Sequence, residues 1–419
     1  MIKKLPLALT LLSLPALASA KGEYLLRGYL SARASHYTGD ANENNGQRHR
    51  AQFEQEARFG SDLVFINQLR WTYNSLYSDL SSTPASDKKD THDIYLGENF
   101  MKLKSSSWVT QIGYQEVAWG EAFGFNYADI VNPKDLRETF YSDYSESRLP
   151  LFLVNFKYFF NNGSMQLIYS PEPRFSQNLP VNLFTKNLLQ QTQIDTWKEK
   201  TPKFFKEHEY GGKFSISLGG FDTSVFYYNY LDRDATYNLV NATLDKITVA
   251  ESHDRVSTAG LSMAKTLFDD FVFRTDVVYT KDKRINSIAN MTLTSTPVNM
   301  MNILVSVDTP TYNKFSAVLI YAASQLSEEL PDAFREKSQS YSILKLTYDL
   351  GEDKKIDLSY THEFAQSGHA VQGLMSWPIS STLDINVGAE TYWGADESQM
   401  AKIKNASNVF FGIKNYFQL

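Results

Sequence analysis

The chain alternates. From Ala51 to Phe59 the polar positions Gln52, Glu54, Glu56 and Arg58 interleave with Ala51, Phe53, Gln55, Ala57 and Phe59. Leu69, Trp71 and Tyr73 interleave with Arg70, Thr72 and Asn74, and Ile356, Leu358 and Tyr360 with Asp357, Ser359 and Thr361. A period of two sends successive side chains to opposite faces of a strand, so one face meets an apolar medium and the other meets water. The pattern predicts strands at 23–37, 50–61, 66–78, 93–104, 107–116, 150–160, 164–171, 208–218, 221–232, 254–266, 270–281, 297–308, 313–324, 339–350, 354–364, 369–377, 380–393 and 404–419. That gives eighteen strands, with sixteen as the alternative count.

What joins them distinguishes a membrane barrel from a soluble sandwich. Short turns such as Asn161-Asn162-Gly163, Gly219-Gly220, Phe268-Asp269-Asp270 and Gly351-Glu352-Asp353 alternate with long connections at 38–49, 79–92, 117–149, 172–207, 233–253, 282–296, 325–338 and 394–403. Strict alternation is the pattern of short periplasmic turns and long extracellular loops. The expected fold is all-β: a transmembrane, antiparallel, up-and-down β-barrel. In the last strand Val409, Phe411, Ile413, Phe417 and Leu419 share one face, with Asn415 the polar break. Such an apolar C-terminal strand resembles the signal read by the outer-membrane assembly machinery. In a soluble protein it would leave an adhesive edge.

Composition sharpens this picture. Tyr (25), Phe (27) and Trp (6) make up 14% of the chain, which suits interfacial aromatic girdles. No stretch after the N-terminus is long and apolar enough for a spanning helix. A net charge of -6 gives no basic face for nucleic acid, and the absence of cysteine excludes disulfides and thiolate metal sites. At the N-terminus, Lys3 and Lys4 precede an apolar run from Leu5 to Ala18 and the small-residue site Ala18-Ser19-Ala20. This reads as a signal peptide over 1–20, cleaved before Lys21, with the barrel over 21–419. The expected location is the outer membrane of a Gram-negative cell, among its lipid and lipopolysaccharide. Few residues separate the leader from the first strand, which argues against a plugged, TonB-dependent transporter.

Two connections exceed ordinary loop lengths. In the first, 117–149, the acids Glu121, Asp129, Asp135, Glu138, Asp143 and Glu146 outnumber Lys134, Arg137 and Arg148. Asn132 to Asp135 reads as a turn or cap into a short helix. Ala118-Trp119-Gly120-Glu121, then Asp129-Ile130-Val131-Asn132-Pro133-Lys134-Asp135, then Arg148-Leu149-Pro150, resembles a largely uncharacterised proteobacterial outer-membrane family carrying W-G-E … D-x-x-N-P-x-D … R-x-P. The resemblance implies a porin-like barrel with a structured early loop and no transferable substrate. Folded into the lumen, the segment would be a constriction. Its Glu121, Asp129, Asp135 and Glu138 would then face wall residues Arg27, Arg33, Arg58 and Arg70 across a transverse field. The alternative is a cap outside the barrel, with the arginines paired to Glu54 and Glu56. The second connection, 172–207, opens irregularly at Pro171, Pro173 and Pro180 and reads as weakly helical over 183–200. It is either a lid or plug or a surface loop packing its own apolar residues.

Enzyme chemistry finds little support. His36, His49, His92, His208, His253, His362 and His369 fall mostly at strand ends or in loops, without a metal-binding i,i+4 pair. Ser252-His253-Asp254 cannot converge on one substrate, and no G-x-S-x-G occurs. Asp40 to Gly46 hints at a calcium loop, but the glycine falls one position late and Ala51 stands where a bidentate Glu belongs. The expected function is passive passage of a small or extended polar solute, without cofactor, by a channel that could form a homotrimer. A non-conducting scaffold or adaptor with a periplasmic partner is the second reading, and an outer-membrane hydrolase the third.

Overall fold

A computed structural model describes residues 22–38, 45–75, 92–122, 126–136, 147–177, 193–198, 205–242, 246–268, 270–289, 292–333 and 335–419. Eighteen strands form one closed sheet. In chain order they are β1 (Glu23–Tyr37), β2 (Asn45–Phe59), β3 (Leu63–Asn74), β4 (His92–Lys104), β5 (Trp108–Gln115), β6 (Leu151–Phe160), β7 (Gly163–Ser170), β9 (Glu209–Leu218) and β10 (Phe221–Leu231). The circuit continues through β13 (Arg255–Leu267), β14 (Phe271–Ala289), β15 (Thr292–Asp308), β16 (Phe315–Leu326), β17 (Ser338–Gly351), β18 (Lys354–Glu363), β19 (Gly368–Ser380), β20 (Leu383–Trp393) and β21 (Asn408–Gln418). Each pairs antiparallel with the next, and β21 closes on β1 with Arg27 opposite Gln418 and Tyr37 opposite Asn408. All eighteen strands expected from the alternation are present, so the count of sixteen falls away.

The alternation explains the closure. On the outward phase stand Tyr24, Leu26 and Leu30 of β1, Leu319 and Tyr321 of β16, Leu358 and Tyr360 of β18, and Val409, Phe411 and Ile413 of β21. These large apolar side chains stay exposed around the whole circuit, which is stable in lipid rather than water. Closure pairs the backbone of every edge, as hydrocarbon demands.

Four expectations need correction. The connection at 282–296 is largely strand: β14 and β15 continue together to Ala289 and Thr292. A bulge between Thr280 and Lys283, with Asp282 at φ +62°, swaps the inward and outward phases and masks the alternation. The alternation of short and long connections is not strict, because β18 and β19 are joined on the long-loop end by only Phe364 to Ser367. Asn132 to Asp135 starts no helix; Lys134 bridges Arg148 and Asp135 bridges Gln177 as isolated strand pairs. Within 183–200, β8 (Gln193–Lys198) is extended and pairs parallel with β12 (Lys246–Ser252), which pairs with β11 (Thr236–Ala242). Its predicted helicity came from weak apolar spacing, and pairing with β12 overrode it; residues 183–192 and 199–200 lie outside the described residues. A short helix α1 (Gln399–Lys402), capped by Ser398 Oγ accepting from the Ala401 N–H, lies between β20 and β21.

The largest buried apolar cluster lies inside the barrel. Leu151 and Leu153 of β6, Ile168 of β7, Phe226, Tyr228 and Tyr230 of β10, Val256 of β13 and Val278 of β14 all stand on the inward phase. They are buried against Val117, Trp119, Ala128 and Val131, which belong to the β5–β6 connection.

Candidate functional site

The β5–β6 connection leaves Gln115, turns inward and returns at Leu149. One side chain holds its neck. Asn132 Oδ1 accepts from the Val117 N–H at 2.7 Å, while Nδ2 donates to the carbonyls of Gln115 at 3.0 Å and Leu149 at 2.9 Å. An amide supplies both acceptor and donors, and burial raises the cost of leaving any of these groups unpaired. Trp119, fully buried, packs on Phe226 and Tyr228 with ring centroids 5.5 and 5.8 Å away, and its indole N–H donates to Gln166 Oε1 at 3.0 Å. Gly120 follows at φ +91°, where a Cβ would strike the Asn126 amide at 2.5 Å. Only glycine turns the chain there without displacing its neighbours.

The segment then crosses the lumen. Tyr127 and Ala122 pack against Leu304, Ile320 and Ala322 of β15 and β16, and Ile343 of β17 joins them. By the strand circuit, β16 lies seven strands beyond β6. The return limb is clamped by Arg233, a residue the sequence reading missed. Its guanidinium pairs with Glu209 of β9 at 2.7 and 2.9 Å and donates to the carbonyls of Val131 and Arg174, each at 2.8 Å. Tyr228 donates to the same Glu209 at 2.8 Å. Burial opposes the Arg233 charge, but Glu209 more than offsets it, so the guanidinium stays protonated well above its ordinary range. No local pattern joins residues 209 and 233. The available signal was β6 and β10, where LFLVNFKYFF and FDTSVFYYNYL carry bulky apolar groups on both phases. Strands apolar on both faces are covered on both faces.

The anticipated charged residues divide. Arg27, Arg33, Arg58 and Arg70 all stand on the inward phase of β1–β3. Arg27 pairs with Glu54 at 2.9 Å, and Arg58 pairs with Glu56. Arg33 lies 3.6 Å over the Phe410 ring. Arg70, buried, donates to Gln52 Oε1 at 2.7 Å and to the Tyr95 hydroxyl at 2.6 Å. In the segment, Asp129 takes Lys134 and Arg148, the latter at 2.9 Å, and Glu121 lies 3.8 Å from Lys213 of β9. Asp135 is buried, and its charge and that of Arg70 both act on Tyr95, which has Arg174 6.0 Å from its ring. Glu138 lies outside the described residues. The structure therefore brings Arg70 and Asp135 into one neighbourhood, while the other contacts are local. Glu116, at the neck, is a group the sequence reading did not single out. Burial pushes its carboxyl up to about 7, Glu98 adds repulsion, and Arg70, Arg148 and Lys134 pull the other way. Among the described residues no cluster of three or more His, Cys, Asp or Glu could hold a metal ion.

Closed circuit, apolar outer belt and infolded segment together define a porin-like transmembrane β-barrel. The chain belongs to the family described as a protein of unknown function, DUF1302, whose profile matches residues 27–415. A search of curated proteins finds no significant match. Similar solved structures include OccAB3 of Acinetobacter baumannii (10% identity, TM-score 0.55, covering 95% of this chain and 100% of that one). OccAB1 of the same species follows at 9%, 0.54, 95% and 96%. OccK8 (OprE) of Pseudomonas aeruginosa gives 9%, 0.53, 95% and 98%. At these identities the likeness is one of fold.

Proposed function

We propose that the protein is a passive outer-membrane channel for a small or extended polar solute, with the 117–149 connection as its constriction. The observation that carries this reading is the seating of Trp119, Ala128 and Val131 against inward-facing wall residues, clamped by Asn132 and Arg233. An eighteen-stranded barrel is wide enough to leave an aqueous path unless something narrows it. The segment crosses towards β15–β17 and leaves the charged faces of β1–β4 as the polar side of the path. In this orientation the short turns face the periplasm and the long loops face outward.

The test is conductance in planar bilayers. The wild-type chain is expected to give discrete channels, and Trp119→Ala a larger and less selective conductance, because the segment loses its deepest anchor. A wild type without conductance would sink the channel reading and favour the scaffold, since the same apolar packing also fills part of the lumen.

A further inference from the structure

Six of the seven histidines form a collar on the outside of the barrel. His49 lies opposite Tyr73, Tyr73 opposite His92, His362 opposite His369, and His369 opposite Trp393, all on the outward phase. His36 shares the outward phase of Leu26 and Leu30 on β1. His208 stacks on Tyr169 at 5.9 Å and lies tilted against Tyr210 at 6.1 Å. Only His253 differs, stacked on Phe175 and bonded to the Asp232 carbonyl. Five of the six stand towards the long-loop end of their strands, and His208 immediately precedes β9 at the same end.

Their height is set by chain length. His36, His49, His208 and His369 each lie ten positions from an outward apolar residue near the short-turn end: Leu26, Phe59, Leu218 and Ile379. At roughly 3.3 Å per residue and a tilt of about 40°, ten residues rise about 25 Å, the height of the apolar band. The histidines therefore mark its upper edge, where headgroups begin.

Between two groups of these histidines lies a groove of about 850 Å³ on β18–β21, β1 and β2. Ala34, Gly373 and Ala389 make it deep, Met375 and Phe411 line it, and His36 stands at its rim. A Cβ on Gly373 would meet only Leu358 Cδ1, at 4.0 Å. His362 and His369 crown the same two strands, β18 and β19. Their Nδ1 edges are engaged: His362 and His369 lie Nδ1 to Nδ1 at 3.3 Å, Tyr360 contacts His369 Nδ1 at 2.9 Å, and Asn45 contacts His36 Nδ1 at 2.9 Å. Among the described residues the three Nε2 edges have no protein partner, and an imidazole N–H is a donor suited to phosphate oxygens.

We propose that this groove and its imidazole rim bind a phosphorylated, multiply acylated lipid of the outer leaflet. Acyl chains fill the groove and the headgroup phosphates take N–H donors, one from His36 and another from His362 and His369, which lie three to four strands away, roughly 14–19 Å at the spacing of neighbouring strands. A second copy of the chain is the competing occupant. It would cover one arc, whereas the histidines stand at one height on β1, β2, β4, β18 and β19 and just ahead of β9, as a headgroup layer requires. The inference rests on the orientation given above, but not on conductance.

The experiment measures binding of diphosphoryl lipid A to the detergent-solubilised full chain, with inorganic phosphate as competitor. The expected result is retention that falls about tenfold in the His36→Leu/His362→Leu/His369→Leu variant, which has no side-chain N–H donors, consistent with losing several modest hydrogen bonds. Gly373→Leu, which the open space accommodates, should also weaken binding, while matched inorganic phosphate fails to displace the lipid. Wild-type affinity in both variants overturns the proposal. So does displacement by phosphate alone, or an oligomer that Gly373→Leu dissociates while lipid binding persists. Heat-modifiable migration of each variant confirms the closed barrel, and bilayer conductance reads the channel separately.

Discussion

Two walls of the same barrel are built from the same alternation and come to opposite ends. On β1–β3 the inward phase carries Arg27, Arg33, Arg48, Arg50, Arg58 and Arg70 with Glu23, Glu54 and Glu56. Across β6–β14 it carries Leu151, Leu153, Ile168, Phe226, Tyr228, Val256 and Val278. The first wall is arranged for water, with side chains paired to neighbours and Arg27 half exposed. The second is a protein core turned inside out, and it holds the infolded β5–β6 segment. The comparison teaches that an inward-facing position is not thereby a pore-lining one.

The sharpest way to break the contrast is to remove a charge from each wall. Arg233→Met leaves Glu209, fully buried, with hydrogen bonds from Tyr228 and Leu231 but no charged partner, and two carbonyls of the infolded segments without their donor. Breaking a buried pair from one side costs about 3–5 kcal/mol. Urea unfolding of the refolded protein in vesicles, read by tryptophan fluorescence, should show a loss of that size. A loss below about 1 kcal/mol, as expected for surface pairs, would mean that the clamp contributes nothing.

A smaller effect separates the walls by pH. The Glu116 carboxyl stands between them, raised by burial to about 7. An acid raised in the fold binds its proton more tightly folded than unfolded, so its stability contribution is most favourable at low pH. That contribution declines from its unfolded value near 4.3 up to about 7. If the barrel conducts as proposed, the negative charge appears in its lumen as pH rises through 7. Cation preference is therefore expected to increase between about pH 6 and 8, and Glu116→Gln should flatten that step. A reversal potential with the same pH dependence in both proteins refutes the assignment.

How much of this was legible follows from the range of each interaction. The eighteen strands could be read because alternation is local, most strands repeat it, and turns punctuate the rest. The swap of phase at Thr280 to Lys283 could not, since a bulge is one inserted residue whose effect shows only in the pairing. Asn132 stood out in the chain, yet its spacing suggested a helix cap. Its partners Gln115 and Leu149 lie 17 positions away on either side, which a local cap reading does not reach. Arg233 and Glu209 offered no pattern at all. The apolar double faces of β6 and β10 did, and they mark where the segment rests.

The smallest expected effect sharpens the comparison within the charged wall itself. Arg27 has half its side chain in solvent, and its pair with Glu54 is of the kind worth about 0–1 kcal/mol. Arg70 is buried, bonded to Gln52 and Tyr95, and shares Tyr95 with Asp135 of the segment. If the two walls act together on a solute, Arg70 is where they meet. Arg58→Ala/Arg70→Ala should shift reversal potentials towards cations by removing positive charge from the lumen, whereas Arg27→Ala, with Glu54 left unpaired on the open side, should shift them less. A double-variant shift only about twice that of Arg27→Ala, in proportion to the two charges removed against one, would mean that only the total charge matters. No shift in the double variant would mean that the arginine wall is scaffold, and that selection lies with the segment alone.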